Sequence, residues 1–188
     1  MAVQHNPLWT RWFHAFDALV LLVMVGSGLQ IYNANPVFGS RGGATFPQLV
    51  TLGGWLAGGR YWHLGFMALF ALNLGIWIGL LLQRRRRHLA QLADVVTWRG
   101  SQNQAKRRYS AHRLIYTLML VVLGFSLITG LAMYKPVQLW WLSGLFGSWQ
   151  MLRVFHFATI PAMVALVISH GVLSWRIGGW SLLRKMAV

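Results

Sequence analysis

The sequence predicts an all-α integral membrane protein, a bundle of four spanning helices. Three observations carry this. The 188 residues are 56% hydrophobic and only 10% charged, with a mean hydropathy of +0.51, whereas a soluble domain carries about 25% charged residues. Four apolar stretches are each long enough to cross a bilayer, and none shows the period-2 alternation of a strand. Lys and Arg gather between these stretches and at their ends. Four strands cannot close a barrel, so helices are the structure that satisfies a spanning backbone.

The first stretch covers residues 8–32. It lacks a basic leader and a small-residue cleavage site, so it reads as a retained span, not a signal peptide. The second covers 61–83, the third 114–134 and the fourth 154–175, with no internal repeat, giving a single domain over 1–188. Basic residues orient them. With the N-terminus in the cytoplasm, thirteen fall inside: Arg11, Arg84, Arg85, Arg86, Arg87, Arg99, Lys106, Arg107, Arg108, Arg113, Arg176, Arg184 and Lys185. Four fall outside: Arg41, Arg60, Lys135 and Arg153. Both termini are therefore expected in the cytoplasm. The inner connection, 84–113, reads as a polar, basic loop lying against anionic head groups. The outer connection 33–60 is rich in Gly, and its part 46–56 reads as a short surface helix. The outer connection 135–153 carries Trp140, Trp141, Leu145, Phe146 and Trp149, an interfacial belt or a docking surface for a water-soluble partner.

Composition also excludes. The formal charge is +15, with Asp17 and Asp94 the only acids. The cations sit in loops and at helix ends, which argues for lipid head groups and against nucleic acid. Cys is absent. That removes disulfides, thiolate-held iron–sulfur clusters and C-x-x-C-H haem attachment.

Chemistry enters with the histidines. His156 and His170 lie fourteen residues apart in the fourth span. Fourteen steps of about 100° return the second side chain to within roughly 40° of the first, about 21 Å along the axis. That is about two-thirds of the hydrocarbon thickness. One helix can thus present a ligand near each membrane surface. The span directions supply partners at matching depths, His14 with His170 near the inner surface and His63 with His156 near the outer. Each pair suits one haem iron held from two helices, and ligation by two histidines favours electron transfer over oxygen chemistry. Any single histidine reads equally well as an interhelical hydrogen bond; the matched set of four favours two non-covalently held b-type haems. His5 lies in the N-terminal tail, His88 follows the arginine run, and His112 sits at the inner end of the third span.

Arginines repeat around them. Arg11, Arg60 and Arg153 each stand three residues before a histidine, and Arg176 follows His170 toward the inner surface. Guanidinium groups there suit haem propionates, or simply mark helix ends. Gly26, Gly28, Gly65, Gly75 and Gly130 admit a macrocycle or a close helix. Asp17, the one acid within a span, reads as a partner for a ligand histidine or a proton relay.

These features resemble the bacterial cytochrome b-561 family, which includes the b-type cytochrome subunits of nickel–iron hydrogenases and formate dehydrogenases. The resemblance covers nearly the whole chain. It rests on His156-x13-His170, on one histidine near the start of each of the first two spans, and on the four-span layout. Five further stretches resemble a subgroup paired with periplasmic molybdopterin oxidoreductases: His5-Asn6-Pro7-Leu8-Trp9 with Arg11 and His14, Gly26-Ser27-Gly28-Leu29-Gln30-Ile31-Tyr32-Asn33, Leu52-Gly53-Gly54-Trp55-Leu56-Ala57-Gly58, Gly130-Leu131-Ala132-Met133 with Lys135-Pro136-Val137-Gln138, and Arg153-x-x-His156-Phe157. The resemblance implies a bacterial inner-membrane protein with two b haems, passing electrons between a periplasmic redox enzyme and a quinone, ubiquinone or menaquinone, near the inner haem. The family's Tyr-Asn-x-x-Gln-Lys/Arg-like quinone motif corresponds here to Tyr109-Ser110-Ala111-His112-Arg113, so Tyr109 and a basic residue remain while Ser110 and His112 replace Asn and Gln. Tyr109, Ser110, His112, Arg113 and Asp17 are the expected quinone residues.

Two other functions stay open. Some related four-span cytochromes resemble stand-alone superoxide:ubiquinone oxidoreductases, and the acid-free outer face would attract the anion. A transporter or structural subunit would bind no haem. Whether the chain forms a homo-oligomer is left open by the sequence.

Overall fold

The structure is a computed structural model and describes residues 8–39, 42–84 and 86–186, excluding the side chains of residues 84, 87, 183, 185 and 186. His5, Asn6, Pro7, Arg41 and Arg85 lie outside the described residues, as do the side chains of Arg84, Arg87 and Lys185. Among the described residues the fold is all-α, with no strand. Its helices are α1 (Leu8–Ala34), α2 (Leu56–Arg84), α3 (Leu92–Gly100), α4 (Gln104–Tyr134), α5 (Trp140–Leu145) and α6 (Trp149–Met186). Four of them, α1, α2, α4 and α6, are long and apolar enough to cross a membrane, with mean hydropathies of 1.7, 2.1, 2.3 and 1.9 over their most apolar windows. The four expected spans are all present.

The helices run past the apolar stretches. Helix α2 begins at Leu56 and α4 at Gln104, because polar residues continue a helix once it leaves the hydrocarbon. Helix α6 contains Pro161 and is broken at Gly179, whose φ of 59° and ψ of −158° suit glycine. Two loop expectations need correction. The surface helix expected at 46–56 is a single 3-10 turn, Gln48–Val50. Gly53 and Gly54, with φ of 112° and 68°, turn the chain before α2 can start. The inner connection is not a plain loop either, since it holds α3 and the first turns of α4. The Gln91 N–H donates to the Asp94 carboxylate at 2.7 Å and closes the N-terminus of α3. Asp94 also pairs with Arg113 of α4 at 3.4 Å. Arg113 further donates to the Leu89 carbonyl at 2.5 and 3.2 Å.

Large apolar side chains face outward, among them Leu22, Leu72, Val121 and Ile168, while Ser27, Asn73 and Thr129 are buried. A chain whose solvent is lipid shows this distribution.

The chain divides into two compact units, each built from parts of all four long helices. The first, residues 17–75 and 124–161, contains His63 and His156. Within it Tyr32 stacks on Phe157 with ring centroids 4.6 Å apart, and Leu52 N–H donates to the Gly26 carbonyl at 2.9 Å. The second, residues 8–16, 76–123 and 162–186 of those described, contains His14, His112 and His170. Within it Phe13 stacks on Trp77 at 5.9 Å, and the Trp77 indole N–H donates to the Tyr116 hydroxyl at 2.6 Å.

Candidate functional site

In the first unit, His63 of α2 and His156 of α6 come together with ring centroids 6.2 Å apart and planes 83° apart. Neither ring is left to choose its orientation. The His63 Nδ1 lies 3.0 Å from the Ser27 hydroxyl of α1. The Ser27 O–H faces the Val23 carbonyl at 2.6 Å and the Met24 carbonyl at 3.2 Å, so its oxygen accepts from Nδ1–H. The His156 Nδ1 lies 2.9 Å from the Thr129 hydroxyl of α4. That O–H faces the Phe125 and Ser126 carbonyls at 2.8 and 3.1 Å, so it too accepts. With the proton on Nδ1, each Nε2 keeps its lone pair, the form in which an imidazole can bind a metal.

The donor set fits an iron. Imidazoles binding one metal from opposite sides at about 2 Å place their ring centroids roughly 6 Å apart. The backbone fits as well: a Cβ on Gly28 would meet His63 Cε1 at 3.5 Å, and one on Gly130 would meet His156 Cε1 at 3.1 Å.

The second unit is arranged differently. His170 of α6 lies against His112 of α4, with ring centroids 4.6 Å apart and planes 33° apart. The His112 Nε2 shares a hydrogen bond with the Ser174 hydroxyl at 3.1 Å. The His170 Nδ1 is buried with no hydrogen-bond partner among the described residues. His14 is exposed on α1. A groove of about 420 Å³ opens between α3, α4 and α6, lined by Trp98, Ala111, Leu114, Ile115, Ile168, Ser169, Val172 and Leu173.

The remaining expected residues divide. Ser110 is buried and Tyr109 half-exposed on α4. Arg113 is committed to Asp94 and Leu89. Asp17 belongs to the other unit, where its carboxylate accepts from the Asn73 amide. Arg153 donates to the Asn35 and Pro36 carbonyls at 2.7 and 3.4 Å and to Gln150 at 3.0 Å. Arg60 and Arg176 are exposed, and Arg11 is half-buried. Of the glycines, Gly26 packs on Leu52, while a Cβ on Gly65 or Gly75 would meet open space. Sequence reasoning missed Ser27, Thr129 and Asn73. The signal for the first two was present: a hydroxyl residue directly before glycine, Ser27-Gly28 and Thr129-Gly130, in two different spans.

Comparison with known proteins gives the family. A family model for prokaryotic cytochrome b561 matches residues 5–187. The putative protein-methionine-sulfoxide reductase subunit YedZ1 of Azospira oryzae is 30% identical over 176 residues, which cover 88% of this chain and 87% of that protein. No solved structure matches the chain significantly. The chain belongs to the prokaryotic cytochrome b561 family, multi-pass bacterial membrane proteins that carry b-type haem and transfer electrons.

Proposed function

We propose that this chain is a dihaem membrane subunit that carries electrons between the quinone pool on the cytoplasmic side and a redox enzyme in the periplasm, across the bacterial inner membrane. The facing pair His63 and His156, each with Nδ1 tied to a buried hydroxyl, carries the proposal. These two residues hold the outer haem, and His14 with His170 hold the inner one. Bound haem supplies a one-electron redox centre. Ser27 and Thr129 hold the imidazoles in their ligating tautomer, and Gly28 and Gly130 leave room at the ring edges. Arg11, Arg60, Arg153 and Arg176 face the propionates; Arg153 is already fixed by the loop carbonyls that follow α1.

The quinone lies by His112, with Ser110 and Tyr109 beside it, and its apolar tail takes the groove between α3, α4 and α6. Ala111 and Ser169, which line the groove, directly precede His112 and His170. The imidazole of His112 exchanges the quinone proton. Arg113 serves this region by holding α3 in place, not by touching the quinone. The outer partner is an oxidoreductase, a molybdoenzyme by family resemblance. The name of the relative from Azospira oryzae makes a methionine-sulfoxide reductase the first candidate.

The test is anaerobic mixing of purified protein with a short-chain quinol, followed by the haem absorption bands. The proposal expects haem reduction, slowed in His112→Ala, and retention of a periplasmic oxidoreductase on mild purification. Reduction by superoxide with quinone as acceptor and no retained partner would contradict it.

A further inference from the structure

In the first unit, two helices give the histidines and two give their holders. Helix α1 offers Ser27-Gly28 to His63, and α4 offers Thr129-Gly130 to His156. Both hydroxyl residues are 0% exposed. Each hydroxyl sends its proton to a carbonyl four residues back on its own helix, which turns its oxygen toward the imidazole. The following glycine then lies against the same ring edge, at Cε1. Consecutive residues thus address adjacent ring atoms, Nδ1 and Cε1, in the same way at both histidines. His170 of the second unit lacks the device: its Nδ1 has no hydrogen-bond partner among the described residues.

We propose that Ser27-Gly28 and Thr129-Gly130 are paired positioning cradles that fix the tautomer and rotation of His63 and His156, and so set the reduction potential of the haem held there independently of the other. This rests on the ligation by His63 and His156 proposed above. An acceptor on Nδ1–H makes the imidazole a more basic ligand, and a more basic ligand favours the ferric state. Removing the acceptor therefore raises the potential. The hydroxyls touch neither iron nor quinone; they act through the imidazoles.

The experiment is an optical redox titration of the purified holoprotein, with low-temperature electron paramagnetic resonance, on Thr129→Val, Thr129→Ser and Ser27→Ala. Thr129→Val keeps the shape and loses the acceptor, while Thr129→Ser keeps the acceptor. The expected result is an upward shift of one midpoint potential in Thr129→Val and Ser27→Ala, with the other potential unmoved and Thr129→Ser close to wild type. Loss of one haem in Thr129→Val with its retention in Thr129→Ser also supports the cradle. Both haems retained with unmoved potentials in Thr129→Val and Ser27→Ala would overturn it, as would a Thr129→Ser shift equal to that of Thr129→Val. The underlying ligation fails separately, if His156→Ala keeps its full haem content.

Discussion

The two units use the same four helices to different ends. Around His63 and His156, each Nδ1 lies within hydrogen-bonding distance of a buried hydroxyl, and glycine lines the ring edges. Around His170, the neighbouring polar group is another histidine, one ring nitrogen has no hydrogen-bond partner among the described residues, and an apolar groove opens nearby. Buried polar groups that are fully satisfied rigidify and specify one arrangement. The first unit therefore fixes its two imidazoles in one geometry, which suits the haem proposed there. The second unit, where the inner haem and the quinone are both proposed to lie, leaves a ring nitrogen without a partner among the described residues and a groove beside it.

The contrast can be broken by substitution. The largest effect is expected for Arg113→Ala, which strands Asp94 in a buried position and frees α3. Losing one partner of such a pair costs about 3 kcal/mol. Proteolysis should then cut between α2 and α4, and the haem bands assigned to the His63 unit should be unchanged. Gly130→Val comes next. Its side chain would begin 3.1 Å from His156 Cε1 and force the ring out, at about 2 kcal/mol of overpacking. Haem content should drop, whereas Gly65→Ala, where a Cβ meets open space, should retain the wild-type content. Asn73→Ala removes the donor to Asp17 within the His63 unit. A thermal shift equivalent to about 1 kcal/mol is expected, measured in detergent by loss of helical circular dichroism. A larger loss there than in Arg113→Ala would invert the comparison.

Much of this was legible in the sequence, and for a physical reason. A spanning helix must be apolar over a fixed length, so all four declared themselves, and the span directions set His63 and His156 at one depth, where their rings come together. The ends were not legible. Residues 104–113 are polar, and nothing in their pattern separates a helix from a basic loop; the ion pair of Arg113 with Asp94, nineteen positions earlier, distinguishes them. The hydroxyls were hidden for another reason. A serine or threonine in an apolar helix can satisfy itself on its own backbone, so Ser27 and Thr129 showed no need of a partner until the imidazoles were placed beside them. Asn73 was hidden because a lone amide in an apolar helix does not name its partner; the structure sets it against Asp17.

The central claim is that the chain holds two haems on separate histidine pairs. The direct test is a dithionite-reduced minus oxidised spectrum of the purified protein with haem quantified per chain, repeated on His156→Ala and His170→Ala. The account predicts two b-type haems in the wild type, with each variant losing a different one. A single haem that survives His156→Ala, or a folded protein with no haem, would contradict it.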